Sequence, residues 1–314
     1  MAEKAFPSYG TTTMNPTGIL REAMKLLARN EKLMLQVILL ALSPFSFLVL
    51  LHYLVAGPLL EKVEDTYESS SLDPRDLKAL VVLEIPFLVA LCIVSMFGTT
   101  ITIYASALTC IGKSATLKEL MLWILSTWKK PAITWLYISL LTIAYTLLSL
   151  FSIQLPSLII GTTNATYTYA YPCSWLVAIL AASFYLYLAT VWTLGLTISV
   201  VEDDCHGVTA LRKSGKLMEG RKFQGFFLML TLVLLSLPVY VLFYVTSADD
   251  DDVLGPVIRL SFMFIATLLF CLTNIFTFVV YTVFYFECKH SHGEKLDMEL
   301  GPGYRSVPTI TNAS

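Results

Sequence analysis

The sequence predicts an all-α, polytopic membrane protein: six transmembrane helices, with cytosolic interfacial amphipathic helices between them. Three observations carry that prediction. Of 314 residues, 56% are hydrophobic and only 14% charged, whereas a soluble chain carries about a quarter charged residues. The apolar residues gather in six runs of bilayer length, and the basic residues concentrate in alternate connections. Mean hydropathy is +0.71.

Taken in order, residues 1–14 are expected to be disordered, and a six-span membrane domain occupies 15–287. A first surface helix starts at an N-cap on Thr17 and runs through Ile19, Leu20, Met24 and Leu27. A bilayer core needs about 20 apolar residues in helix. The runs that meet this length are 33–56, 79–111, 133–155, 175–200, 226–245 and 257–286. In lipid each backbone polar group must be satisfied within its own segment, so these runs are helices. The second is too long for one bilayer thickness. Asp73 as N-cap, Pro74 at the first helical position and Asp76 in the first turn start it outside the membrane. Residues 288–314 form a flexible cytosolic tail.

Orientation follows from the cations. Lys4, Arg21, Lys25, Arg29 and Lys32 precede the first span; Lys113, Lys118, Lys129 and Lys130 fill the second connection; Arg212, Lys213, Lys216, Arg221 and Lys222 fill the fourth. Lys289, Lys295 and Arg305 follow the last span, leaving only Lys62, Arg75, Lys78 and Arg259 on the other side. By the positive-inside rule both termini are cytosolic, in a plasma membrane or a secretory-pathway endomembrane. The opposite connections carry Glu61, Glu64, Asp65 and Glu68, and Asp249 to Asp252, a solvated acidic turn.

The basic segments repeat. Leu20-Arg21-Glu22, Leu117-Lys118-Glu119 and Leu211-Arg212-Lys213 recur at intervals of 97 and 94 residues. A further lysine follows eleven or twelve positions after each leucine, just before the next span (Lys32, Lys129, Lys222). In the middle copy Leu117, Leu120, Met121, Ile124, Leu125 and Trp128 fall on one helical face, the pattern of a helix lying in the interface plane. The expected plan is a threefold repeat of surface helix plus transmembrane hairpin.

The fourth connection holds a sequence motif: Glu202 after a span, then Gly207, Ala210, Leu211, Ser214, Leu217 and Gly220. With this segment and the six-span layout, the chain resembles the plant six-span membrane proteins sometimes labelled as binding a poly(A)-binding protein. It is more distantly similar to the membrane domain beside bacterial glycerophosphodiester phosphodiesterases. The resemblance implies an integral membrane protein rather than a catalytic unit. It departs from the family pattern in the four residues between Glu202 and Gly207 and in Gly215, which interrupts the helix. Physically, Gly207 and Gly220 punctuate the two ends of a short helix, and Ala210 and Ser214, four apart, permit close helix approach. Glu202 is placed to pair with a nearby Arg or Lys, so the segment is expected to serve packing.

Chemistry is sparse elsewhere. The span centres lack Asp, Glu, Lys and Arg, which weighs against ion-coupled transport. Glu84 and His52 lie near the external ends of their spans, and Pro44, Pro86 and Pro238 fall inside spans. Thr190, Thr193, Thr197 and Asn274 read as groups that hydrogen-bond between helices. Cys205, His206, Cys288, His290 and His292 are soft ligands without metal-site spacing. Cys110, Cys205 and Cys288 sit near the cytosolic boundary, where reversible acylation occurs. Asn164 opens a glycosylation sequon on the external side; Asn312 opens another in the cytosolic tail. The six cysteines show no disulfide framework, and a net charge of −2 excludes nucleic-acid binding. The first apolar run is too long for a cleaved signal and stays as an anchor. No nucleophile elbow, phosphate loop or paired-histidine metal motif is present, and no cofactor is expected. The expectation is therefore a non-enzymatic membrane protein that organises lipid or unidentified protein partners. The alternative is a carrier or channel for a lipid or small neutral solute.

Overall fold

The computed structural model describes residues 14–68, 74–113, 115–160, 171–247 and 256–293. Among the described residues the chain forms nine helices and no strand. They are α1 Pro16–Arg29, α2 Glu31–Glu68, α3 Pro74–Ile111, α4 Leu117–Thr127, α5 Lys129–Ile160, α6 Tyr171–Val201, α7 Val208–Leu217, α8 Lys222–Ser247 and α9 Pro256–Ser291. Six of these, α2, α3, α5, α6, α8 and α9, are long and apolar enough to cross a membrane. Every boundary of those spans lies within five residues of the run expected from hydropathy. The protein is a multi-pass helical membrane protein.

Each short helix has a local reason to start where it does. Pro16 follows the N-cap Asn15 and begins α1 one residue ahead of the expected cap at Thr17, because proline's fixed φ and missing N–H suit the first helical position. At α4, Thr116 accepts from the Glu119 N–H while the Glu119 carboxylate accepts from the Thr116 N–H, a reciprocal capping box. Gly207 caps α7. The long helices run through their prolines: Pro44 and Pro58 in α2, Pro86 in α3, Pro156 in α5 and Pro238 in α8. Membrane helices tolerate this because neighbouring groups re-satisfy the freed backbone.

The layout repeats three times as short helix plus hairpin, but each short helix packs on the hairpin before it. Helix α4 rests on α3 and α2, α7 rests on α6 and α5, and α1 rests chiefly on α9, with α3 and α8 beside it. The first short helix thus closes the ring on the last hairpin. Inside this collar the second helices of the hairpins, α3, α6 and α9, pack on one another, while α2 lies on α9 and α8 on α6.

The core sits at the basic end. Ten consecutive residues of α3 (101–110), eight of α6 (194–201) and eleven of α9 (279–289) are all buried. Such helices are covered on every side, by their partners inward and by the short helices outward. Toward the far end the same helices are largely exposed: Val82, Leu88, Ile179, Leu180 and Ile258 face outward. Helix α9 continues past the expected end at Phe286 to Ser291, so Cys288 and Lys289 belong to the core and not to a flexible tail. The expectations for Asp73, Asp249 to Asp252, Asn164 and Asn312 fall outside the described residues.

Candidate functional site at the basic end

The motif segment builds a cluster of charges between α6, α7 and α9. Gly207 has φ +59°, and its N–H donates to Thr134 Oγ1 of α5 at 2.7 Å. A Cβ there would lie 3.3 Å from both Ile133 and Tyr137, so glycine is demanded by backbone and space together. From that start Ala210, Ser214 and Leu217 turn inward and are buried. Ser214 Oγ donates to the Val191 carbonyl of α6 at 2.9 Å. Opposite, a Cβ on Gly195 would meet Leu211 at 2.8 Å and Ser214 Oγ at 3.5 Å, so α6 and α7 touch at near backbone distance. Gly220, with φ +83°, turns the chain toward α8. The motif thus punctuates and packs a helix, as expected, with one correction. Gly215 does not interrupt α7 but lies inside it with open space around its Cα. Val208 faces away from the protein, 52% exposed.

Glu202 is fully engaged. Its Oε2 accepts from Lys213 Nζ at 2.7 Å; its Oε1 accepts from the Tyr285 hydroxyl at 2.7 Å and from Lys289 Nζ at 3.4 Å. Burial works to raise the carboxyl's pKa, but the hydrogen bonds from Lys213 and Tyr285, and the charges of Lys213 and Lys289, outweigh it and hold it below the usual carboxylate range. Next to it, Asp203 pairs with Lys130 of α5 at 3.0 Å. Burial, and then the Glu202 carboxylate, push the Cys205 thiol up, which disfavours a reactive thiolate.

A second cluster locks α1 to the last hairpin. Glu287 of α9 is buried, and its Oε1 accepts from Arg221 Nη1 at 3.2 Å and from the Met14 N–H at 3.0 Å. Gln224 of α8 donates to the Met14 carbonyl. Met14 therefore has both backbone groups held just ahead of α1, where the sequence suggests disorder. Between the spans, the Tyr281 hydroxyl donates to Thr190 Oγ1 at 3.2 Å, and Thr190 Oγ1 donates to the Gly225 carbonyl at 3.3 Å. Thr193, Thr197 and Asn274 instead bond carbonyls of their own helices. At the far end His52 Nε2 and Glu84 Oε1 lie 2.8 Å apart, so these two expected interfacial groups pair across the first hairpin.

Other candidates do not assemble. Cys110 and Cys288 are buried and inaccessible to an acylating enzyme, which corrects the boundary reading; Cys205 stays partly exposed. Among the described residues no group of three His, Cys, Asp or Glu side chains is arranged to hold a metal. His292 Nδ1 lies 2.9 Å from the Cys288 carbonyl oxygen of its own helix end. Sequence reasoning missed Thr134, Arg221, Gln224, Tyr285 and Glu287. The one available signal was Glu287 and Lys289 directly following an apolar run.

The short helices differ in what they show outward. Helix α4 buries Leu120 and Ile124, and Trp123 stacks on Tyr104 of α3 with ring centroids 3.7 Å apart. It leaves Leu122 and Leu125 about 60% exposed, with Met121 and Trp128 beside them, so the expected single apolar face is split between protein and surroundings. Exposed Lys118 and Lys129 flank that outer face. Helices α1 and α7 show mainly cations outward, Arg21 and Lys25 on one, Arg212 and Lys216 on the other.

Fold and site together define a six-span helical membrane protein whose hairpins are clamped at one end by a collar of three short helices. Residues 11–300 match the family described as Domain of unknown function (DUF8558), and the chain belongs to that family. No curated protein matches the sequence, and no solved structure matches the fold.

Proposed function

We propose that this is a non-enzymatic integral membrane protein that organises lipid at the cytosolic leaflet, with both termini in the cytosol. The carrying observation is the outer face of α4: exposed Met121, Leu122, Leu125 and Trp128 between exposed Lys118 and Lys129. An apolar helix face bounded by cations on the outside of the bundle suits the boundary between acyl chains and anionic headgroups. The engaged carboxylates support a structural rather than catalytic use of Glu202, Asp203 and their neighbours. The relation to the plant six-span proteins and to the phosphodiesterase-associated membrane domain belongs to this proposal. Its support is the motif's role as a packing device, which any such membrane domain would need.

Reconstitution of the full chain in liposomes of neutral and anionic phospholipid tests the reading. The expected result is anionic lipid enriched around the protein and a change in vesicle diameter, both weakened by Leu122→Glu with Leu125→Glu. Unchanged vesicle shape together with no lipid preference overturns it. A carrier of a lipid or small neutral solute is the second reading. A largely apolar crevice with a few hydroxyl and amide groups between α2, α3 and α9 favours it, while the all-round burial of α3, α6 and α9 at the basic end weighs against a through-path.

A further inference from the structure

A crevice of about 160 Å³ opens between α2, α3 and α9, with Trp135 of α5 at one edge. Its walls are mostly aromatic and aliphatic, Phe45 and Phe270 among them, and no charged side chain lines it. Four uncharged polar side chains do: Ser95, Thr99 and Thr102 on α3 and Asn274 on α9; Thr102 already bonds the Gly98 carbonyl, which leaves Ser95, Thr99 and Asn274. Ser95 lies halfway along the span Lys78–Ile111, and Asn274 halfway along Ile258–Ser291.

These three groups are under-bonded where their neighbours are satisfied. On α3 the hydroxyls of Thr100, Thr102, Ser106 and Thr109 each bond the carbonyl four residues earlier. Among the described residues Ser95 and Thr99 make no such bond, although Thr99 is only 9% exposed. The Asn274 carboxamide donates one N–H to the Phe270 carbonyl at 2.9 Å, and its oxygen accepts from nothing in the described chain. In hydrocarbon each unmet polar group is costly, because no water competes for it. Thr99 is buried while Ser95 and Asn274 are exposed, so the three groups line one gap that is open to an entering hydrogen-bonding partner.

We infer that the crevice binds a neutral lipid bearing a free hydroxyl, with that hydroxyl placed among Ser95, Thr99 and Asn274. A hydroxyl both donates and accepts, which matches two serine-type hydroxyls and an amide offering both an oxygen and a second N–H. The uncharged lining leaves a phosphate headgroup without a counter-charge. The aromatic walls supply flat apolar contact for the rest of the molecule, which extends through the open side into the bilayer. This goes beyond the organising role proposed for the collar and does not depend on it.

The test uses the full chain in phosphatidylcholine nanodiscs with photoactivatable analogues of a sterol and of a diacylglycerol, the labelled peptides being mapped by mass spectrometry. The expected result is label on the α3 and α9 segments lining the crevice, competed by the unlabelled parent lipid, from at least one probe; which probe labels decides the source of the hydroxyl. Thr99→Val and Asn274→Leu should each cut that labelling by about five-fold, as loss of one hydrogen bond would. Ser149→Ala, whose hydroxyl on α5 already bonds its own helix, should leave it unchanged. Neither probe labelling the crevice above a phosphatidylcholine probe overturns the inference. So does equal labelling of native protein and of Asn274→Leu, or an Asn274-dependent dimer that excludes both probes.

Discussion

Glu202 carries its charge half out of water because three donors from two other helices meet it there. Replacing it by glutamine removes the ionic part of the Lys213 and Lys289 contacts and leaves one partly buried and one buried cation less well matched. A hydrogen bond to a charged group contributes about 2 kcal/mol, so Glu202→Gln should lower stability by roughly that amount. Its pH dependence has a definite sign. Because the folded carboxyl titrates below the usual glutamate range, its contribution is complete at neutral pH and is lost as pH falls below that range through the folded value. Thermal unfolding in detergent from neutral to acid pH should show the native protein losing this increment while Glu202→Gln does not; parallel curves would refute the assignment. The two glycines of the motif segment should behave oppositely. Gly207→Ala forces a side chain into φ +59° and against Ile133 and Tyr137, and should cost about 1–3 kcal/mol. Gly215→Ala adds a methyl to open space inside α7 and should stabilise by about 0.5–1 kcal/mol. Unfolding midpoints moving in the same direction would mean that α7 is not held as described.

Helix α7 is held against α6 by Gly195, so the element-scale prediction concerns that crossing. Gly195→Leu places a branched side chain where Leu211 and Ser214 already stand, and α7 must lift. The expected readout is faster modification of an engineered Ser214→Cys thiol, buried in the native packing, by a water-soluble maleimide; an unchanged rate would place the contact elsewhere. What the sequence makes readable at this scale follows from how local the signal is. The spans are visible because a bilayer imposes a length on an apolar run, and α7 is visible because Gly207 and Gly220 bracket it. The start of α1 was legible in Pro16, and that of α4 in Thr116 and Glu119, three residues apart, although Thr17 competes as a cap. Ring closure was not legible: α1 has the same composition whichever hairpin it covers. The lock between Arg221 and Glu287 joins residues 66 positions apart, and Arg221 is one of several cations in its connection. Nor does composition distinguish Thr99, which leaves its hydroxyl open, from Thr100, which does not.

At the scale of the whole molecule the decisive feature is the unequal packing along the membrane normal. All three inner helices are buried on every side near the collar, while α5 and the outer halves of α3 and α6 show most of their side chains outward. Between helix and lipid there is no hydrophobic driving force, since acyl chains are as apolar as leucine. Stability in these spans must therefore come from close packing, hydrogen bonds and the ionic clusters of the collar, all concentrated at one end. Truncation should report that asymmetry. Phe284→Ala, fully buried at the collar, removes close contacts and leaves a void, and should cost about 3 kcal/mol or more. Leu147→Ala, 63% exposed on α5, exchanges one lipid contact for another and should stay within about 0.5 kcal/mol. Reversible unfolding in mixed micelles measures both on the same footing. Comparable losses would mean that the outer halves of the helices close on one another in the membrane as tightly as the collar end does. A near-neutral Leu147→Ala beside a costly Phe284→Ala would instead identify the collar as the clamp. The open halves of the hairpins would then be the part free to admit lipid between them.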